Sequence, residues 1–271
     1  MAAILETREL CIAFGGLTAL DGLDMTVEEG MLLGLIGPNG AGKTTVFNLL
    51  TGVYKAGRGS VLFRGREIGV LPPHEIVGLG IARTFQNIRL FRSLSVLENV
   101  MVGYAVHLDE PLWKASLLPE STRRERARWI DECEGLLDMV GVLELENEPA
   151  TALPYGKQRL VEIARALATK PRVLLLDEPS AGMNPAEKAE LMRFITSIRE
   201  KMHITTVVIE HDMKVLMNLV EQVIVLDYGK KIAEGTPSQI RNDPGVIEAY
   251  LGTETDDEEA EGAGVAREEA R

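Results

Sequence analysis

The chain has 271 residues, 45% of them hydrophobic, and a formal charge of −12. That length and apolar content fit one large α/β domain with room for an inserted subdomain. The acidic balance gives no support for nucleic-acid binding through a broad basic face.

Ile4–Phe14 and Gly22–Val27 alternate in part and predict strands, the first ending at the turn Phe14-Gly15-Gly16. Met31–Ile36 is an apolar strand leading into Gly37-Pro38-Asn39-Gly40-Ala41-Gly42-Lys43-Thr44-Thr45, followed by a helix over Thr45–Thr51. A turn at Gly57–Gly59, a short strand over Ser60–Arg64, a helix over Pro72–Leu79 and a strand Ile81–Gln86 running into a loop come next. From about Ile88 to Ala150 the chain is helix-rich, with helices over Ser95–Val102 and Glu120–Val140; the stripe Ile130, Leu137, Val140 reads as core packing. We take this as an inserted helical subdomain, about 88–165. The α/β pattern returns with a helix (Lys157–Thr169), an almost wholly apolar strand (Arg172–Leu176), a helix (Asn184–Lys201), a strand (His203–Ile209) and a helix (Met213–Val220). Paired strands Gln222–Leu226 and Lys230–Ala233 and short helices Thr236–Arg241 and Pro244–Leu251 close the domain at about residue 252. The tail 253–271 reads as disordered: Glu254–Arg271 holds eight acids against two arginines, a net −6. Cys11 and Cys133 read as buried free thiols, which suits a reducing cytoplasm. There is no run of about 18 apolar residues to span a membrane and no apolar core of a secretory signal near Met1.

The strongest chemical signal is G-x-x-x-x-G-K-[ST] between a strand and a helix, the setting a phosphate-binding loop requires. Its glycines let several backbone N–H groups approach one phosphate, and the helix that follows adds the positive end of its dipole. Lys43 then reaches the β- and γ-phosphates and the Thr44 hydroxyl ligates Mg²⁺. A chance match is expected in about one such chain in a hundred. The buried strand ending Leu176-Asp177-Glu178-Pro179 puts two acids at a carboxyl end, where ligands of doubly wound sheets bind. Asp177 there orients the metal, and Glu178 polarises the attacking water.

Leu153-Pro154-Tyr155-Gly156-Lys157-Gln158-Arg159-Leu160 lies just upstream of that strand. With it, from Ile4 to Leu251, the sequence resembles the ATP-binding-cassette ATPases, whose signature is L-S-G-G-Q. The resemblance implies a P-loop NTPase core with an N-terminal antiparallel β subdomain and the inserted helical subdomain. It implies that Gln86 is the Q-loop glutamine, which senses the γ-phosphate and contributes to the metal site, and that His211 in Ile209-Glu210-His211-Asp212 is the switch histidine. Phe14 falls where the family stacks an aromatic on adenine, and Tyr155 and Gly156 where the signature binds phosphate. Within the family, Phe14–Asp21, Ile81–Phe91, Ile209–Met213 and Arg241–Gly252 resemble LivG-type subunits of branched-chain amino-acid importers. The implied assembly is two transmembrane permease subunits, a second cassette ATPase (a paralogue or a second copy), and indirectly a solute-binding protein, with this chain on the cytoplasmic face of the membrane and no nucleic acid.

Three positions depart from the pattern: Pro154 for Ser, Lys157 for Gln and Asn184 for Asp. Proline offers neither hydroxyl nor N–H, so the site completed by this signature is expected to be the weaker of two. Urea and amide importers share much of the pattern. Soluble cassette ATPases acting on ribosomes or DNA carry two cassettes or long coiled coils, which this chain lacks. A P-loop small-molecule kinase would have no signature or switch histidine.

Overall fold

The computed structural model describes residues 2–107 and 120–250; Leu251 and the acidic tail lie outside them. In chain order the strands are β1 (Ala3–Phe14), β2 (Leu17–Glu28), β3 (Leu32–Ile36), β4 (Arg58–Phe63) and β5 (Arg66–Glu67). They continue as β6 (Ile81–Arg83), β7 (Val173–Asp177), β8 (Thr205–Ile209), β9 (Gln222–Asp227) and β10 (Lys230–Gly235). The helices are α1 (Lys43–Leu50), α2 (Pro73–Leu79), α3 (Val96–Met101), α4 (Glu120–Met139), α5 (Tyr155–Ala168), α6 (Pro185–Met202), α7 (Met213–Met217) and α8 (Pro237–Arg241). Residues 244–250 form a last helical segment.

One antiparallel sheet has the order β2-β1-β4-β5; the other has the order β10-β9-β3-β8-β7-β6 and is parallel except for β10. The central strands are apolar at almost every position because both faces of the second sheet are covered. Alternate side chains serve two cores. Leu33 and Leu35 of β3, Val173 and Leu175 of β7, and Ile224 and Leu226 of β9 join Val46, Phe47 and Leu50 of α1 and the first sheet. Leu32, Ile36, Leu174, Leu176, Val223 and Val225 point the other way, into a cluster with α5, α6 and the helices between β6 and β7. Each such leucine, removed from water, contributes about 1.5–3 kcal/mol.

Several boundaries differ from the sequence-based ones for local reasons. β2 starts at Leu17 rather than Gly22, because the Gly15-Gly16 turn, with Gly15 at φ 59, lets Phe14 pair directly with Leu17. Leu17 is exposed, so its pairing leaves no alternating pattern to read. α1 starts at Lys43 because Gly42, at φ 103, caps it. His203 is the left-handed C-cap of α6, at φ 54, so β8 starts only at Thr205. Both cysteines are free; Cys133 is buried, whereas Cys11 is only half-buried. On α4, Cys133 and Leu137 enter the core, as does Val140 just beyond it; Ile130 is half-buried, and Trp129 stacks on Tyr104 at 5.9 Å.

Candidate active site

The loop between β3 and α1 is shaped by two glycines, Gly37 and Gly42, at which a side chain would collide with backbone. A Cβ on Gly37 (φ 151) would lie 2.1 Å from the Leu226 carbonyl oxygen, and one on Gly42 2.7 Å from that of Ala19. The hairpin turn between β9 and β10 backs the loop: Gly229 N donates to Ala41 O at 3.1 Å, and Asp21 N of β2 donates to Gly229 O at 3.0 Å. The two sheets are thus joined behind the loop. From the C-terminal side the loop's first glycine reaches Tyr250, whose phenol burial pushes up to about 12 against a hydrogen bond from the Gly37 backbone.

Lys43 is 6% exposed, and its Nζ donates to Gly37 O at 2.7 Å and Pro38 O at 2.8 Å. Burial pulls its pKa down, while Glu178 and Asp177 oppose the shift. A cleft of about 460 Å³ opens over the loop. Asn39, Gly40, Ala41, Gly42, Lys43, Thr44 and Thr45 form its floor, and Phe14, Gln86, Glu178 and His211 its walls. Gly37 and Pro38 lie behind, buried. Larger grooves of about 660 Å³ under residues 240–250 and about 640 Å³ between α6 and α7 contain no residue of this loop.

Phe14 is 45% exposed, with one edge against Tyr54 (centroids 5.1 Å apart), which leaves ring surface free to stack on a base. Glu178 stands one residue beyond β7, in a left-handed conformation at φ 47. Its carboxylate is held from two sides: Gln86 Nε2 donates to Oε2 at 2.8 Å, and His211 Nε2 meets Oε1 at 2.5 Å. Asp177 sits beneath, 1% exposed, with Oδ2 2.8 Å from Arg83 NH2. Burial raises its pKa, and the Arg83 partner opposes this. Its other oxygen, Oδ1, is buried without a hydrogen-bond partner. An unpartnered carboxylate oxygen on Asp177 and a hydroxyl on the exposed Thr44 are hard-oxygen donors of the kind Mg²⁺ takes alongside phosphate oxygens.

Tyr155 and Gly156 are not brought into this cleft. They open α5, whose N-cap is Pro154 (φ −53) with no side-chain hydrogen bond, against Gly182 and Glu187. Asn184 caps α6 as an aspartate would, its Oδ1 accepting from Ala186 N at 2.9 Å and Glu187 N at 3.0 Å.

Five contributors carried no assigned role in the sequence. Arg83, stacked between Phe47 and Phe85, ties Asp177 to Asn48 of α1. Buried Glu210 accepts from Ser180 N at 2.8 Å, joining the loop after Glu178 to the His211 loop. Tyr228 lines the cleft from the β9–β10 turn. Arg159 and Glu162 are buried on α5. The available signal was a charged residue inside an apolar stretch, as in Val161-Glu162-Ile163.

A glycine loop carrying a lysine, under a cleft walled by an aromatic ring and a doubly held glutamate, defines a P-loop nucleotide hydrolase. The chain belongs to the ABC transporter family of ATP-hydrolysing cassettes: that family's model matches residues 20–181, and a model described as branched-chain amino acid ATP-binding cassette transporter matches residues 230–256. It is 43% identical over 249 residues to the high-affinity branched-chain amino acid transport ATP-binding protein BraF of Pseudomonas aeruginosa, covering 92% of this chain and 98% of that one. The same figures hold for LivG of Escherichia coli K12. Among solved structures, the ADP conformation of MJ1267, an ABC transporter cassette, matches with TM-score 0.81 and 32% identity, over 93% of this chain and 100% of that one. MJ0796, a bacterial ABC transporter cassette in dimeric form, matches with TM-score 0.71 and 25% identity over 86% and 99%.

Proposed function

We propose that this chain is the ATP-hydrolysing subunit that energises import of branched-chain amino acids through an ABC transporter. The observation that supports it most is the capture of Glu178 between Gln86 and His211 over the phosphate loop, in a chain 43% identical to LivG and BraF over nearly their whole length. Lys43 exchanges its two loop carbonyls for the β- and γ-phosphates of ATP, and Phe14 stacks on adenine. Thr44 and Asp177, with Gln86 beside them, are the residues to hold Mg²⁺, which neutralises charge on the phosphate oxygens. Glu178 accepts the proton of the attacking water, while His211 keeps the carboxylate aimed and meets the γ-phosphate. Tyr155 and Gly156, which do not line this cleft, complete the site of a second cassette, paralogue or copy, in the head-to-tail dimer; the MJ0796 cassette is dimeric.

Residues 1–252 form the ATPase domain, with the helical subdomain of about 88–165 inserted. No helix among the described residues is long and apolar enough to cross a membrane. In the proposed assembly the chain docks peripherally, on the cytoplasmic face, against two permease subunits. The docking surface we assign is the groove of about 360 Å³ between the Gln86 segment and the helical region, lined by Val77, Arg89, Phe91, Val102, Val106 and Arg165. A separate solute-binding protein delivers the amino acid.

The test is uptake into proteoliposomes holding the complete transporter, with ATP on this subunit's side. Leucine, isoleucine and valine should accumulate in an ATP-dependent way and fail to do so with Glu178→Gln. Accumulation of urea or short amides instead would reassign the solute. ATP hydrolysis with no solute moved would remove the import reading.

A further inference from the structure

The segment carrying Gln86 is fastened at three backbone points to one side-chain pair of α5. Arg159 is fully buried; its NH1 donates to Phe85 O at 2.5 Å and its NH2 to Gln86 O at 2.5 Å. NH1 also pairs with Glu162 Oε2 at 2.7 Å, one helical turn further on. The other oxygen of Glu162 accepts from Arg89 N at 3.2 Å. Between these points the Phe85 ring is held on its faces by the guanidinium groups of Arg83 (5.0 Å) and Arg89 (4.3 Å). The pair is desolvated and its bonds are charge-assisted, so pulling the loop off α5 strands charge in the interior. Only the planar fork of an arginine reaches two successive carbonyls and a carboxylate at once.

Arg159 also stands one turn from Tyr155, whose hydroxyl is 3.4 Å from its NH2. We infer that Arg159 and Glu162 are positioning residues for ATP hydrolysis: they make the Gln86 loop and the first turn of α5 move as one body. Engagement of Gln86 with Glu178 on one side therefore fixes where Tyr155 and Gly156 stand on the other. Neither residue lines the nucleotide cleft. The inference rests on the roles proposed above for Gln86, Tyr155 and Gly156.

The experiment compares three variants in the assembled transporter: Arg159→Lys, which keeps the charge and loses the fork, Glu162→Gln, and the double apolar replacement Arg159→Met with Glu162→Met. ATPase kcat should fall on the order of tenfold, as misplacement of a positioned group does. KM should stay within about twofold, since binding contacts are intact. Hydrogen exchange supplies a readout that a merely structural pair would not move. In the unaltered protein, ATP should protect peptides covering residues 83–91 and 153–160 together; in the variants the two responses should separate. Unchanged kcat, or a lowered kcat with the joint exchange response preserved, overturns the inference. If the double variant does not fold, Arg159→Lys decides. Gln86→Ala serves as the reference: if it leaves kcat unaltered, the site assignment itself has failed. If it lowers kcat while the Arg159 and Glu162 variants do not, only the positioning pair has failed.

Discussion

In the proposed mechanism Glu178 takes a proton from water, so it must be aimed without being buried under a permanent cation, and its contacts are an amide, from Gln86, and the ring of His211. Its left-handed backbone, φ 47 in a non-glycine residue, costs about 1–3 kcal/mol and is held by the bond from Glu178 N to Ile209 O. Glu178→Gln should lower kcat by about 100-fold or more while nucleotide binding survives, as measured by ATPase rate and ADP titration. The neighbouring Asp177 is treated in the opposite way, paired with an arginine in the interior. Arg83→Met leaves that carboxylate alone and should cost about 3–5 kcal/mol in chemical denaturation. Adding Asp177→Asn should recover most of the stability and none of the hydrolysis. A third residue reports on pH. Hydrogen bonds from Lys170 and then Tyr104 hold the Glu132 carboxyl down at about 2, from an ordinary value of 4.5. The folded value lies below the unfolded one, so the stabilisation is complete above about pH 4.5 and fades as pH falls toward 2. The melting-temperature gap between the unaltered protein and Glu132→Gln should be widest near neutral pH and shrink below pH 4.5.

At the scale of elements, the first turn of α5 is where this chain departs most from its family's signature. Pro154 makes no side-chain cap, yet its φ of −53 suits a helix start, so the fold tolerates it. In the proposed dimer, restoring serine adds a hydroxyl and an N–H where this signature meets the partner cassette's nucleotide. Pro154→Ser should raise the ATPase rate of the assembled transporter; an unchanged rate would show that proline does not weaken that site. Elements of this kind were legible because their causes are local. The phosphate loop, the apolar strand before Asp177 and the stretch 72–79 each carry their determinants within a dozen residues. What escaped the sequence depends on contacts between segments far apart in the chain. β2 reaches back to Leu17 only because β1 continues opposite it, and the burial of Arg83 and Arg159 follows from the acids and carbonyls they meet across the fold. Likewise Tyr228 faces the cleft only because the β9–β10 turn packs behind the phosphate loop.

The whole molecule is two sheets around α1 with a helical region attached through the second core, and its two outward functions lie on different surfaces. In the proposed assembly the nucleotide cleft faces a second cassette, and the groove beside Phe91 and Val102 faces the permease. Phe91→Asp, at a position 50% exposed, should leave ADP binding intact and abolish recovery of permease subunits with the tagged chain. The most direct test of the account is a pull-down of the tagged, full-length protein from gently solubilised membranes, with copurifying chains identified by mass spectrometry. Two multi-spanning permease subunits and a second cassette ATPase are the expected partners. Recovery with ribosomes or DNA, and no membrane subunit, would contradict transport and leave only the ATP chemistry of the cleft.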